Sequence, residues 1–294
     1  MFIEAIEKNS HYTRAIHSII RTYGSNKIIP GAATLFFVNE EGYAVTCKHV
    51  AELLINSDNI NKKYITFKAE RDALPKDGEF NQKLRELEAK YNFNAGAIIQ
   101  VKNTFVDCVD ILTSFTSHLH PKYDLAILQF NGFKKLCYQS RSVFVKDSST
   151  IKQGEFLCRL GFPFPEFSNH QFNETSDDIE WTKDGITASP RFPIEGMVTR
   201  FLADENKIYG IELSTPGLRG QSGGPLFNKN GIVYGMQYST KHLHLGFDMV
   251  EREIISDNQP KTISDYSFLH LGQCLHADVI KEFLREKNVK FYEA

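Results

Sequence analysis

The apolar positions of this chain follow two different periods. Near the start, Tyr12, Ala15, Ile16, Ile19 and Ile20 recur at helical spacing, and Gly24 and Ser25 break the stripe. The pattern predicts an N-terminal helical extension over residues 1–27, packed outside the main body, with partner binding or targeting as its other use. From Pro30 the texture changes to short runs rich in Val, Ile and Phe. ATLFFV and YAVTC flank Asn39-Glu40-Glu41-Gly42 and predict a hairpin. YITFKA (64–69) and AIIQV (97–101) predict two more strands, and between them Phe80, Leu84, Leu87 and Tyr91 fit a short amphipathic helix. Further strands are predicted at 124–130, 156–162, 196–201, 207–213, 224–228 and 231–239. Residues 164–193, polar with interspersed Phe and Pro, read as a long surface loop. A C-terminal extension over 255–294 ends in an amphipathic helix carrying Val279, Ile280, Phe283 and Leu284. Many short strands broken by Gly, Pro and Asn point to an all-β barrel or sandwich.

Composition narrows the function classes. The 294 residues are 41% hydrophobic and 24% charged with a formal net charge of −2, and no long run of one sign occurs. Nothing suggests the basic face of a nucleic-acid binder. No apolar run is long enough to span a bilayer, and the first residues lack the features of a secretory signal. The five cysteines, Cys47, Cys108, Cys137, Cys158 and Cys274, are odd in number and irregular in spacing. Free thiols in a reducing compartment are expected, and hence a cytoplasmic protein. Two His-x-His pairs, His118 with His120 and His242 with His244, have metal-ligand spacing, but no third ligand is evident near either. They read as surface histidines. Cys47 close to His49 reads as a small buried residue, with a redox-sensitive thiol as the alternative.

The chemistry concentrates in three short segments. Residues 220–225 read Gly-Gln-Ser-Gly-Gly-Pro. Acyl transfer needs an activated hydroxyl and two donors aimed at a developing oxyanion. Ser222 among small residues can supply the first, and the backbone N–H groups of Gly220 and Ser222 the second. Upstream stand Thr46-Cys47-Lys48-His49-Val50, at the end of a predicted strand, and Tyr123-Asp124-Leu125-Ala126. Each of His49, Asp124 and Ser222 alone has an ordinary structural explanation; the three in the order His, Asp, Ser do not.

These segments resemble the trypsin/chymotrypsin-like serine peptidases, and look closest to the bacterial branch that includes the HtrA proteases. GEFLCRLGFPF (154–164), IEGMVTRF (194–201) and SGGPLFNKNGIVYGMQYS (222–239) extend the likeness over about residues 30–250. The resemblance implies two packed six-stranded antiparallel β-barrels, with added N- and C-terminal helices. Barrel one would cover about 28–135 and barrel two about 150–254, within a peptidase domain over 28–254. It implies Ser222 as nucleophile, His49 as general base and Asp124 as its orienting partner. The substrate would be a protein or peptide, and no PDZ domain is expected.

The chain departs from the family pattern in two places. Secreted zymogens carry Asp directly before the nucleophile to pair with a new N-terminus, whereas Gln221 stands here. Activation by loop ordering, through a regulatory protein partner or oligomerisation, is therefore expected over zymogen cleavage. At the base of the primary pocket the family count gives Pro216, which carries no charge, with Met236, Gln237 and Tyr238 as one wall. An apolar or small substrate side chain follows from that count. The competing reading is a latent or inactive protease-fold scaffold, which an intact triad and Gly-rich motif argue against.

Overall fold

In the computed structural model, which describes every residue except 206, 257 and 258, the chain opens with a short helix, α1 (Ile3–Ser10). The apolar stripe predicted to continue that helix is instead a strand, β1 (Thr13–Thr22). Ile16 joins the main core, while Ile19 packs on the opposite face with Phe167 and Ile179. A strand buried on both faces places apolar residues at every spacing, including the helical one. The β-branched residues Thr13, Ile16, Ile19, Ile20 and Thr22 suit it.

The first sheet adds β2 (Ile28–Phe37), β3 (Tyr43–Thr46), β4 (Ile98–Phe105), β5 (Ser114–Leu119) and β6 (Ala126–Asn131). All six strands run antiparallel to their neighbours in the order β4-β1-β2-β3-β6-β5. The sheet curls as a half-barrel. Its β4 edge is capped by α2 (Lys48–Asp72), where the Asn61 carboxamide exchanges two hydrogen bonds with the Val101 backbone. YITFKA, predicted as a strand, lies inside α2. Val50, Leu54, Ser57 and Tyr64 are buried at spacings of three, four and seven, which fits a helix rather than a two-residue alternation. The predicted amphipathic helix is α3 (Phe80–Tyr91), whose Leu87 closes a cluster with Tyr64, Phe67 and Phe93.

The second half begins with β7 (Val143–Phe144) and β8 (Phe156–Gly161). The stretch expected as a loop holds a small hairpin of β9 (His170–Asn173) and β10 (Asp178–Trp181). Then follow β11 (Phe192–Asp204), β12 (Lys207–Leu213), β13 (Pro225–Phe227), β14 (Val233–His244), β15 (Met249–Ser256), β16 (Gln259–Asp265) and β17 (Phe268–His276). After them come α4 (Ala277–Glu286) and β18 (Tyr292–Glu293). Six of these strands close a ring, β13-β8-β11-β12-β17-β14 and back to β13, and β7 and β18 attach in parallel. β15 and β16 form a separate hairpin. The chain is thus mostly β, with two six-stranded antiparallel units and helices at both ends. The boundaries read from the sequence cut through both units, since β1 precedes residue 28 and β17, a ring strand, follows residue 254. Val279, Ile280, Phe283 and Leu284 of α4 bury into the core that both units share. Among the described residues no helix is long and apolar enough to cross a membrane.

His17, buried on β1, ties the 164–193 segment to the first sheet. Its ring stacks on Phe167 with centroids 4.0 Å apart, and Nε2 lies 2.9 Å from Ser189 Oγ. Burial pushes its pKa down from 6.5 to about 4. The unfolded chain therefore binds a proton that the folded chain refuses between those values. Stability should fall as pH drops from 6.5 to 4, by about 3 kcal/mol at about 1.4 kcal/mol per pH unit. Urea unfolding of wild type and His17→Phe at pH 7 and pH 4 should show wild type losing that much more. Equal acid sensitivity would remove His17 from the account.

Candidate active site

Ser222, His49 and Asp124 converge where the two β units meet. β3 ends at Thr46 and the chain turns at once into α2, so His49 sits in the first helical turn. Asp124 lies two residues before β6, the partner of β3. The pairing of those strands brings the two together. One Asp124 oxygen accepts the backbone N–H of His49 at 3.0 Å, and the other lies 2.7 Å from His49 Nδ1. Burial pushes the Asp124 carboxyl up, but the ring and amide bonds from His49 and the amide of Lys48 outweigh it, and its pKa falls below the usual range. A carboxylate so held fixes the ring with Nδ1 protonated and Nε2 free to accept.

Ser222 comes from the loop before β13 and lines the same cleft as the exposed His49 ring. Among the described residues no hydrogen bond joins the Ser222 hydroxyl to that ring. The loop is bolted to the first sheet. Thr34 donates its backbone N–H to the Ser222 carbonyl at 3.0 Å and its hydroxyl to the Gly220 carbonyl at 2.7 Å. Gly220 and Gly223 both have positive φ, at 92° and 88°. A Cβ on Gly220 would lie 2.4 Å from the Phe162 carbonyl oxygen, and one on Gly223 would lie 2.0 Å from that of Thr34. Only glycine suits either place. The amides of Gln221, Gly223 and Gly224 are bound to carbonyls, whereas those of Gly220 and Ser222 donate to no protein group among the described residues. Those two are the donors assigned to the oxyanion from sequence.

Gln221 has a role that its sequence position alone does not disclose. Its side chain is fully buried. Oε1 accepts from the Leu218 amide at 3.0 Å, and Nε2 donates to the Phe192 carbonyl at 3.2 Å. A neutral carboxamide thus braces the loop from beneath, at the place where zymogens of the family put a charged residue.

The cleft beside Ser222 has a volume of about 500 Å³. Pro216, Gln237 and Tyr238 line it as expected, together with Gly217, Leu218 and Arg219. Met236 does not. It is fully buried in the barrel core, because strand alternation turns it inward before the register shift of β14 between Gln237 and Ser239. His242 also faces the cleft, opposite His270 of β17, with the two Nδ1 atoms 2.5 Å apart. His242 had been singled out with His244, but a strand-mate across the ladder is its partner, and His244 instead binds Asp248 at 2.8 Å. His120 accepts the amides of Lys122 and Tyr123 and shapes a turn.

Cys47, His49 and Asp124 bring ligand-type atoms within 4.8 Å of one another. The Cys47 thiol donates to the Gln237 carbonyl, and burial, followed by the nearby Asp124 charge, pushes its pKa well up. A protonated thiol is a poor metal ligand and a poor redox nucleophile. The cluster is therefore the His49–Asp124 pair beside a packed, protonated cysteine.

Two sets of solved structures align with nearly the whole chain. An HtrA-type protease, AlgW, with tripeptide, shows 12% identity and a TM-score of 0.47 over 97% of this chain. This chain spans 62% of the length of that one. The active form of the Rv3671c protease from M. tuberculosis shows 13% identity and a TM-score of 0.48, over 98% of this chain and 86% of its own. Among curated protein sequences no relative matches. The family model described as trypsin-like peptidase domain matches residues 33–236, from within β2 to within β14, and the chain belongs to that family.

Proposed function

We propose that the chain is a serine endopeptidase acting on proteins or peptides. Ser222 Oγ attacks the scissile carbonyl carbon while His49 takes its proton. The C–N bond then breaks as His49 gives that proton to the leaving amine, and water releases the acyl group by the same route. The N–H groups of Gly220 and Ser222 hold the oxyanion. The observation that carries the reading is the two-point grip of Asp124 on His49, with Ser222 in the same cleft. Gln221 supports activation without a new N-terminus, because its bonds to Leu218 and Phe192 brace the loop with no ion pair. The proposed compartment is the reducing cytoplasm, which five free cysteines suit.

A fluorophosphonate probe tests this directly. Wild type should label and Ser222→Ala should not. A latent enzyme, engaged when a regulatory partner orders the cleft, is the reading favoured by the missing bond between His49 and Ser222. Labelling that begins only once such a partner is added is its signature. No labelling under any condition would leave a binding scaffold.

A further inference from the structure

We propose that the cleft beside Ser222 selects an acidic side chain, aspartate or glutamate, in the substrate residue whose carbonyl is attacked. The inference rests on the peptidase reading above. The walls of the cleft carry the exposed Arg219 guanidinium and the rings of His242 and His270, whose Nδ1 atoms face each other, while the Thr240 hydroxyl donates to the Gly217 carbonyl and Gln237 Nε2 to the Ser239 carbonyl. Among the described residues no Asp or Glu lines it.

Behind Gln237 lies a further cation. Arg159 of β8 is fully buried. Its Nη1 donates to Gln237 Oε1 at 2.8 Å, and Nη2 donates to the carbonyl and hydroxyl of Thr215 at 3.1 and 2.5 Å. Its Nε has no partner, and none of its hydrogen-bond acceptors is a carboxylate. Burial lowers the pKa of the guanidinium, and the groups acting against that are the thiols of Cys274 and Cys158. A buried cation without a counter-charge is costly and rare. The backbone makes room for it: a Cβ on Gly272 would lie 2.2 Å from Arg159 Nη1. A Cβ on Gly217 would lie 2.2 Å from Gln237 Nε2, so the carboxamide fills the space under Gly217 and shortens the pocket. An incoming carboxylate supplies the missing negative charge. A lysine or arginine side chain meets the positive charge of Arg219 and Arg159, and an aliphatic one leaves that charge without a counter-charge.

The test uses matched fluorogenic peptides that differ only in Glu, Asp, Gln, Leu or Lys at the position before the cleaved bond. The expected kcat/KM for Glu exceeds that for Gln by about 30-fold, the scale of one charge acting across a partly screened site. Arg159→Met should fold, since an apolar side chain of similar length replaces an unpaired buried charge, and should cut the ratio to about 3-fold. If it does not fold, the exposed Arg219→Gln should lower the same ratio. In parallel, Ser222→Ala should bind product peptides ending in Glu more than about 10-fold tighter than those ending in Gln. Probe labelling with equal cleavage of Glu and Leu peptides overturns the acidic preference and leaves the peptidase standing. No labelling under any condition, with Glu-ended peptides still bound tightly by Ser222→Ala, overturns the peptidase and leaves the pocket. Equal binding of both product peptides overturns the pocket.

Discussion

Asp124→Asn should leave a folded protein whose kcat/KM is lower by about 10⁴-fold. Asp124 serves two donors at once, the His49 amide and the His49 ring, each through its own oxygen. A carboxamide has only one acceptor oxygen. If that oxygen keeps the backbone amide, the NH₂ faces Nδ1 and forces the proton onto Nε2, where it blocks removal of the serine proton. If the amide group flips, the ring is satisfied but the first turn of α2 loses its anchor. The first orientation removes the base outright, and the second leaves the ring on a helix start that has lost its anchor. Steady-state kinetics with the best acidic-site peptide, beside a thermal melt, checks it. A normal melt with a loss under about 10-fold would mean that Asp124 only holds the helix start.

Gly223→Ala should be the most destabilising single-methyl change in the second β unit, costing more than about 4 kcal/mol. The added carbon would lie 2.0 Å from the Thr34 carbonyl oxygen and 2.4 Å from Thr46 Oγ1, at a φ of 88°. Neither neighbour can retreat. The Thr34 carbonyl accepts the Thr46 hydroxyl at 2.7 Å, and the Gly223 amide is tied to the Gln237 carbonyl at 2.9 Å. Gly24→Ala is the control. Its φ is also positive, but nothing lies within 4 Å of the new carbon, so only the backbone penalty of about 1 kcal/mol remains. Melting temperatures should fall by more than about 8 °C for Gly223→Ala and by less than about 4 °C for Gly24→Ala. Equal shifts would show that the loop yields where the packing says it cannot.

The peptidase family was legible in the sequence because its chemistry sits in three contiguous segments, each readable without knowing what packs against it. Most strands were legible for the same local reason. The failures were tertiary. β1 was read as helix because burial on two faces hides the two-residue period. Residues 64–69 were read as a strand because Tyr64, Ile65, Thr66 and Phe67 favour strands, while the packing of Tyr64 and Phe67 with Phe93 keeps them helical. Met236 was put in the cleft because nothing local shows that β14 shifts register one residue later. Arg159 and His270 gave no signal, since what matters about each is a partner distant in sequence, Gln237 and Thr215 for Arg159 and His242 for His270. Pro216 lines the cleft, but His242 and His270 reach it from β14 and β17, and Arg159 stands behind Gln237 from β8, beyond the reach of any residue count.

The ring that carries Ser222 closes through β17, which pairs with both β12 and β14. On a ribosome, the serine and its glycines emerge well before residues 268–276. Until those residues arrive, β12 and β14 have open edges and the nucleophile loop lacks a finished barrel beneath it. The order of synthesis therefore acts as a timer: the barrel beneath the Ser222 loop cannot close until residues 268–276 have been made.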